Sequence, residues 1–157
     1  MNILEAQYQT VRSSREALLL YCASIKPEHF ILPIENFGHS SIRNLLVHVS
    51  NASLYWLVEF ALKGRPRYTK PEEVAEVEKI SKLFELVDLA MDEFLNTYSI
   101  HSPLIQGWVK WGKRDISISS VELFTHVITH EFHHKGQILS MSRQLGYTPI
   151  DTDIIRF

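Results

Sequence analysis

A chain of 157 residues with 45% hydrophobic and 22% charged side chains has the size and composition of one globular domain, residues 1–157, large enough to bury a core unaided. Its formal net charge of −2 lacks the basic footprint that nucleic-acid binding needs, and its single cysteine, Cys22, excludes a disulfide framework and points to a reducing compartment. The N-terminus has no basic segment leading into an apolar run, and no apolar stretch approaches the length of a membrane span, so a soluble cytoplasmic protein is expected.

Four helices are predicted in chain order. The first runs from about Ile3 to Ile25, with Leu4, Tyr8, Val11, Leu18, Cys22 and Ile25 at helical spacing, Arg15 interrupting the row and Pro27 closing it. Cys22 reads as a small buried hydrophobe. After the loop Ile31 to His39, Ser40 suits an N-cap for a second helix reaching about Lys63, where Gly64 and Pro66 supply stop signals. Its stripe is Ile42, Leu45, Leu46, Val49, Ala52, Trp56 and Phe60. The aromatic residues Tyr55, Trp56 and Phe60 suit either core packing or an interface. The third helix is predicted to open at Thr69-Lys70-Pro71-Glu72, a capping-box pattern with proline in the first turn. Val77, Ile80, Phe84, Val87, Met91, Phe94 and Tyr98 then step by three and four.

A long connection follows, Ser99 to Ile118, holding Trp108 and Trp111. The alternation Val109, Trp111, Ile116, Ile118 predicts a short hairpin across Gly112-Lys113-Arg114, either a strap packing its tryptophans on the bundle or a lid over a site. The fourth helix begins after Ser119, three residues before Glu122, and ends at Gly146. The predicted fold class is all-α, a four-helix bundle with a long crossover connection.

The fourth helix carries the chemistry. Leu123, Val127, His130, His134, Ile138, Met141 and Leu145 lie on one face, so two imidazoles stand where an apolar stripe should continue. A histidine in a core is ordinarily a hydrogen-bonded packing residue, but two adjacent neutral rings both need partners, and one metal ion accepts both lone pairs. His126 and His133 sit off the stripe, as flanking residues that support the ligands from behind; His130 with His133 is the rival pairing. His126 and His134 are eight residues apart, about 12 Å along a helix, too far to share one ion. A third ligand must therefore come from elsewhere, from His29, His39, His48 or His101. His48 alone lies inside a helix, in line with Leu45 and Ala52, where a facing helix can meet it.

His130-Glu131-Phe132-His133-His134 also fits H-E-x-x-H, in which the glutamate would be the general base of a metallopeptidase. Only Asp151 and Asp153 remain as acids downstream, and no strong strand accompanies them, so Glu131 is expected on the helix surface or behind a ligand rather than as a base.

Leu45-Leu46-Val47-His48 with Tyr55-Trp56, and Thr129-His130-Glu131-Phe132-His133-His134-Lys135-Gly136-Gln137-Ile138, closely resemble the DinB/YfiT-like family of metal-binding four-helix bundles; Arg143-Gln144-Leu145-Gly146-Tyr147-Thr148-Pro149 is similar to that family's run out of the last helix. The resemblance covers nearly the whole chain. It implies His48, His130 and His134 as ligands of a divalent metal, with zinc and nickel equally suited to histidine. It also implies a homodimer and, by analogy with characterised branches, a transferase or isomerase working on a small thiol (bacillithiol, mycothiol or glutathione) and an electrophilic substrate. A three-histidine set leaves coordination positions open, the arrangement of a catalytic ion; no catalytic side chain is named by the sequence. The alternative is a non-catalytic protein of stress response that binds metal or a small ligand. Relatives often place an acid about a turn after the first histidine, where this chain has Asn51, Ala52 and Ser53. Gly136 is expected to mark close approach of another backbone.

Overall fold

The computed structural model describes residues 2–156. Four long helices share one core: α1 (Ile3–Ala23), α3 (Ile42–Leu54), α4 (Val77–Thr97) and α5 (Ser120–Gln144), with a single turn, α2 (Pro27–Phe30), between the first two. The packed pairs are α1 with α4, α4 with α3, α3 with α5 and α5 with α1, so the helices close a ring in which α1 lies diagonal to α3 and α4 diagonal to α5. Both diagonal steps in chain order need long connections. No helix among the described residues is long and apolar enough to cross a membrane.

The helical stripes explain the core. Ile80, Val87, Met91 and Phe94 of α4 and Leu123, Ile138 and Met141 of α5 are all within 1% of complete burial, at the spacing the sequence displays. Cys22 is fully buried, and burial pushes its thiol up to about 12, as an inert packing residue. α5 opens on a reciprocal capping box: the Glu122 amide donates to Ser119 Oγ, and the Ser119 amide donates to Glu122 Oε2 at 2.8 Å. It closes before Gly146, whose φ of +88° suits glycine.

Several expectations are corrected. The fold is not all-α, because β1 (Ile105–Val109) and β2 (Arg114–Ile118) form an antiparallel hairpin in register from Ile105 opposite Ile118 to Val109 opposite Arg114. α1 stops at Ala23 and Pro27 opens α2 rather than ending α1, which fits the tolerance of proline in a first turn. Pro71–Glu73 is a separate 3₁₀ turn without a capping side chain; Val74 then turns extended (φ −131°, ψ 106°) and buries its side chain, so α4 restarts only at Val77. Finally, a Cβ built on Gly136 would meet nothing within 4 Å. No backbone approaches it, and it merely weakens an exposed helical position. Gly136→Ala is expected to raise stability by about 1 kcal/mol, the helix-propensity difference, measured by urea denaturation; unchanged or lowered stability would reveal a contact that the open surroundings do not show.

The second helix is capped by Ser41 rather than Ser40, its hydroxyl accepting from the Asn44 amide at 3.2 Å. Beyond Leu54 it continues as a π-helix, Tyr55–Ala61, with the Leu62 amide donating to the Leu57 carbonyl at 3.0 Å. The extra residue per turn rotates the helix face. Leu57, Phe60 and Ala61 go into the core, whereas Trp56 is left half-buried beside a surface cleft. The hairpin rests on this π segment through Gly107, where a Cβ would come 2.9 Å from Phe60 Cε2 and 3.0 Å from Lys63 Nζ.

Behind the site, α1 and α4 are tied to α5 by charge. Arg15 is 4% exposed; it donates from Nε to Glu131 Oε1 (2.8 Å), from Nη2 to Glu131 Oε2 (3.2 Å) and from Nη1 to Asp88 Oδ1 (2.7 Å). Tyr8 donates its hydroxyl to the same Asp88 oxygen at 2.6 Å. Lys135, also buried, donates to Ser14 Oγ (2.9 Å) and to the Thr152 carbonyl (2.7 Å), fastening the C-terminal tail over α1 and α5.

Candidate metal centre and adjoining cleft

His48 from α3 and His130 and His134 from α5 converge because α3 and α5 pack side by side. One ring nitrogen from each lies within 4.8 Å of the other two. The ring centroids are 5.1 Å apart for His48 and His130, 4.8 Å for His48 and His134, and 4.5 Å for His130 and His134. His48 is exposed and the other two are half-buried, so the rings sit at the mouth of the helix interface rather than in its core.

Gln137 orients one ring. Its Oε1 is 2.7 Å from His134 Nδ1; with the amide oxygen accepting, His134 carries its proton on Nδ1 and turns the Nε2 lone pair toward His130 Nε2, 3.2 Å away. Two nitrogens bound at ~2.05 Å to one tetrahedral ion are roughly 3.3 Å apart, so this pair already has the spacing of two ligands. Only His48 would need to close in.

Burial holds all three rings below the ordinary histidine range, and His130 is pushed down to about 4, first by burial and then by the neighbouring rings of His134 and His48. The rings are therefore neutral near pH 7, the form that ligates. A histidine with a folded pKa below its unfolded value of about 6.5 binds fewer protons folded than unfolded, so acidification favours unfolding. This cost is absent above about pH 6.5, grows as pH falls and is complete near the folded value. Metal-free protein is expected to lose melting temperature across that window, and His130→Gln to lose less; identical slopes in the two proteins would contradict the assignment.

The remaining histidines are placed as follows. His126 stacks beside His130 with centroids 6.0 Å apart and meets Trp56 edge-on at 4.9 Å, lining the cleft. His133 touches His134 edge-on at 4.9 Å but is exposed and outside the three-nitrogen cluster. Neither hydrogen-bonds a ring of the trio through any contact in the structure. His29 Nδ1 pairs with the Tyr147 hydroxyl at 2.9 Å, His39 occupies a left-handed turn position, and His101 is exposed in the α4–β1 loop. The rival pair of His130 with His133 is thus not the one brought together with a third ring.

Glu131 corrects the expectation of a surface or ligand-supporting residue. It is 8% exposed, and both its carboxylate oxygens are taken by Arg15. A carboxylate committed to that buried pair is not available as the general base of an H-E-x-x-H peptidase. The positions following His48 carry no acid either: Asn51 exchanges two hydrogen bonds with the Thr69 backbone (2.8 and 3.0 Å), and Ser53 donates to the Val49 carbonyl at 2.9 Å.

Beside His48 and His130 opens a cleft of about 550 Å³. Tyr55 and Trp56 from the π segment and Trp111 from the hairpin turn line it. Tyr68, brought in by the Asn51–Thr69 clasp, and Lys110 also line it, both bonded to Glu59: Lys110 Nζ at 2.8 Å, and the Tyr68 hydroxyl on the second carboxylate oxygen. The sequence marks Trp111 only as strap or lid and Trp56 as core or interface; both prove to border the histidine cluster.

A profile of the DinB family matches residues 1–157. The chain belongs to the DinB family. This DinB-family chain is 30% identical over 121 residues to "Protein DinB" of Bacillus subtilis strain 168, covering 72% of this chain and 69% of that one. It is 23% identical over 144 residues to the uncharacterized protein YizA of the same strain, covering 90% and 87%. Its fold matches the crystal structure of a DinB-like protein from Bacillus cereus ATCC 10987 with a TM-score of 0.68 at 18% identity, over 94% of this chain and 95% of that one.

Proposed function

We propose that this DinB-family protein binds one divalent metal ion through His48, His130 and His134 and uses it to activate a low-molecular-weight thiol for transfer to an electrophile. The observation that carries the proposal is the convergence of three neutral imidazoles, two with Nε2 atoms 3.2 Å apart, at the edge of an open cleft. Zinc and nickel both suit an all-imidazole set. A bound ion would supply Lewis acidity, favouring the thiolate of a coordinated thiol at neutral pH.

The chain's own residues do the rest. Gln137 fixes the His134 tautomer, and the walls of the cleft beside the histidines position the second reactant. In the transfer the sulfur–carbon bond forms, the bond from carbon to its leaving group breaks, and the leaving group departs with the bonding electron pair. The thiol proton passes to solvent, and nothing is oxidised or reduced overall.

Turnover of bacillithiol or glutathione with a chromogenic alkylating substrate, compared between metal-loaded and chelated protein, tests the reaction. Activity lost on chelation and regained with zinc or nickel is expected. Stoichiometric metal binding without turnover of either thiol would leave a non-catalytic metal-binding protein in its place.

A further inference from the structure

The cleft beside the histidines has a chemical character of its own. Tyr55, Trp56 and Trp111 contact one another with centroids 4.6 to 5.7 Å apart, Trp56 standing at 82° to each of the other two rings. Trp111 nevertheless remains 65% exposed, so a large aromatic surface faces the cleft mouth with its position held by two neighbouring rings. An aromatic wall fixed in this way loses little conformational freedom when a ligand ring packs on it.

Charge narrows the class of ligand. The one cationic side chain on the cleft lining, Lys110, is paired with Glu59, and Glu59 also takes the Tyr68 hydroxyl. In the metal-free protein the charged groups at the lining are thus paired with one another. The ring centroids are too close together to enclose a cation between aromatic faces; they form a wall rather than a cage. A cleft of about 550 Å³ is within the ordinary range of small-molecule sites, roughly 300–1,000 Å³, and exceeds the needs of a single thiol.

We infer that the Tyr55–Trp56–Trp111 wall is a binding subsite for an uncharged, planar aromatic group, and that the electrophile of the proposed transfer carries such a group. The second clause rests on the function proposed above; the first does not. Trp111 is the residue that sets specificity. It is supplied by the hairpin turn, where its removal leaves the core untouched.

Isothermal titration calorimetry on the full-length, metal-free protein tests the subsite without recourse to activity. The probes are 2-naphthol, its saturated counterpart 2-decalol, and the anion 2-naphthalenesulfonate. Saturable binding of 2-naphthol is expected, at least tenfold tighter than either of the others. Trp111→Leu, which keeps apolar bulk without an aromatic face, should weaken 2-naphthol at least tenfold, and Trp111→Phe should restore most of the affinity. Equal binding of 2-decalol, tighter binding of the sulfonate, or indifference to Trp111→Leu would each overturn the inference. Failure of the metal proposal shows separately, as protein that takes up no metal but still binds 2-naphthol. If the subsite is correct and the reaction assignment holds, electrophiles bearing an aromatic ring lose kcat/KM in Trp111→Leu while aliphatic ones do not.

Discussion

Glu131→Ala is expected to cost the folded state about 3–5 kcal/mol in urea denaturation, the usual penalty for stripping one partner from a buried ion pair. The side chains of Arg15 and Glu131 are 4% and 9% exposed, and the guanidinium would keep Asp88 but lose both bonds to α5. The double variant Arg15→Met, Glu131→Leu should recover much of the loss, because two apolar groups of similar bulk leave no unpaired charge. Asp88 in that variant retains Arg12 at 3.2 Å and the Tyr8 hydroxyl. A loss below about 1 kcal/mol for Glu131→Ala would mean that the pair is hydrated in solution. Glu131 is the neighbour of His130 on α5, so the pair ties α1 to the helix that carries two of the three clustered histidines.

That network explains one break in the pattern of the first helix. Arg15 sits squarely on the stripe between Val11 and Leu18, so the sequence displays a buried charge. Beyond the Tyr8 hydroxyl on its own helix, its carboxylate partners are 73 and 116 residues away, and nothing local identifies them. The stripe of α4 was legible because that helix buries one face along its length, and that of α5 because its apolar ends, Leu123 with Val127 and Ile138 with Met141, are buried on either side of the half-buried His130 and His134. The π segment was not: Trp56 and Phe60 continue the four-residue step as well as Leu57 and Ala61 do, and the wider turn decides which of them reach the core. Likewise Pro71-Glu72 has the chemistry of a helix start, but the burial of extended Val74 breaks the helix before it can run.

The site divides in the same manner. His130 and His134 could be read from periodicity and His48 from its alignment within the second helix, since each depends on one helix and its stripe. Gln137 was available as a polar residue three positions beyond His134, within reach on a helix, yet its role emerges only from the 2.7 Å contact. The cleft was not legible. It is assembled from the π segment, the hairpin turn and the segment bearing Tyr68, three pieces whose juxtaposition depends on tertiary contacts. The Lys63 ammonium on the Gln106 carbonyl and the Gly107 approach to Phe60 hold the hairpin against the π segment, and neither has a local sequence pattern.

The strongest functional effect is expected from the ligands. Protein purified without added metal should carry about one equivalent of divalent ion, and His130→Ala should carry essentially none by elemental analysis. His130 lies within reach of both His48 and His134; without it the remaining pair offers two ligands from different helices and too little binding energy to hold an ion through purification. His133→Ala should keep full occupancy, because His133 is outside the nitrogen cluster. Gln137→Ala should fall between them, weakening affinity by ~10–100-fold in a chelator competition, since it removes only the acceptor that fixes the His134 tautomer. This graded order separates a metal centre from a hydrogen-bonded histidine cluster. In a cluster held only by the contact between His130 and His134, Gln137→Ala would alter stability and leave metal content unmoved; undiminished occupancy in His130→Ala would remove the metal centre altogether.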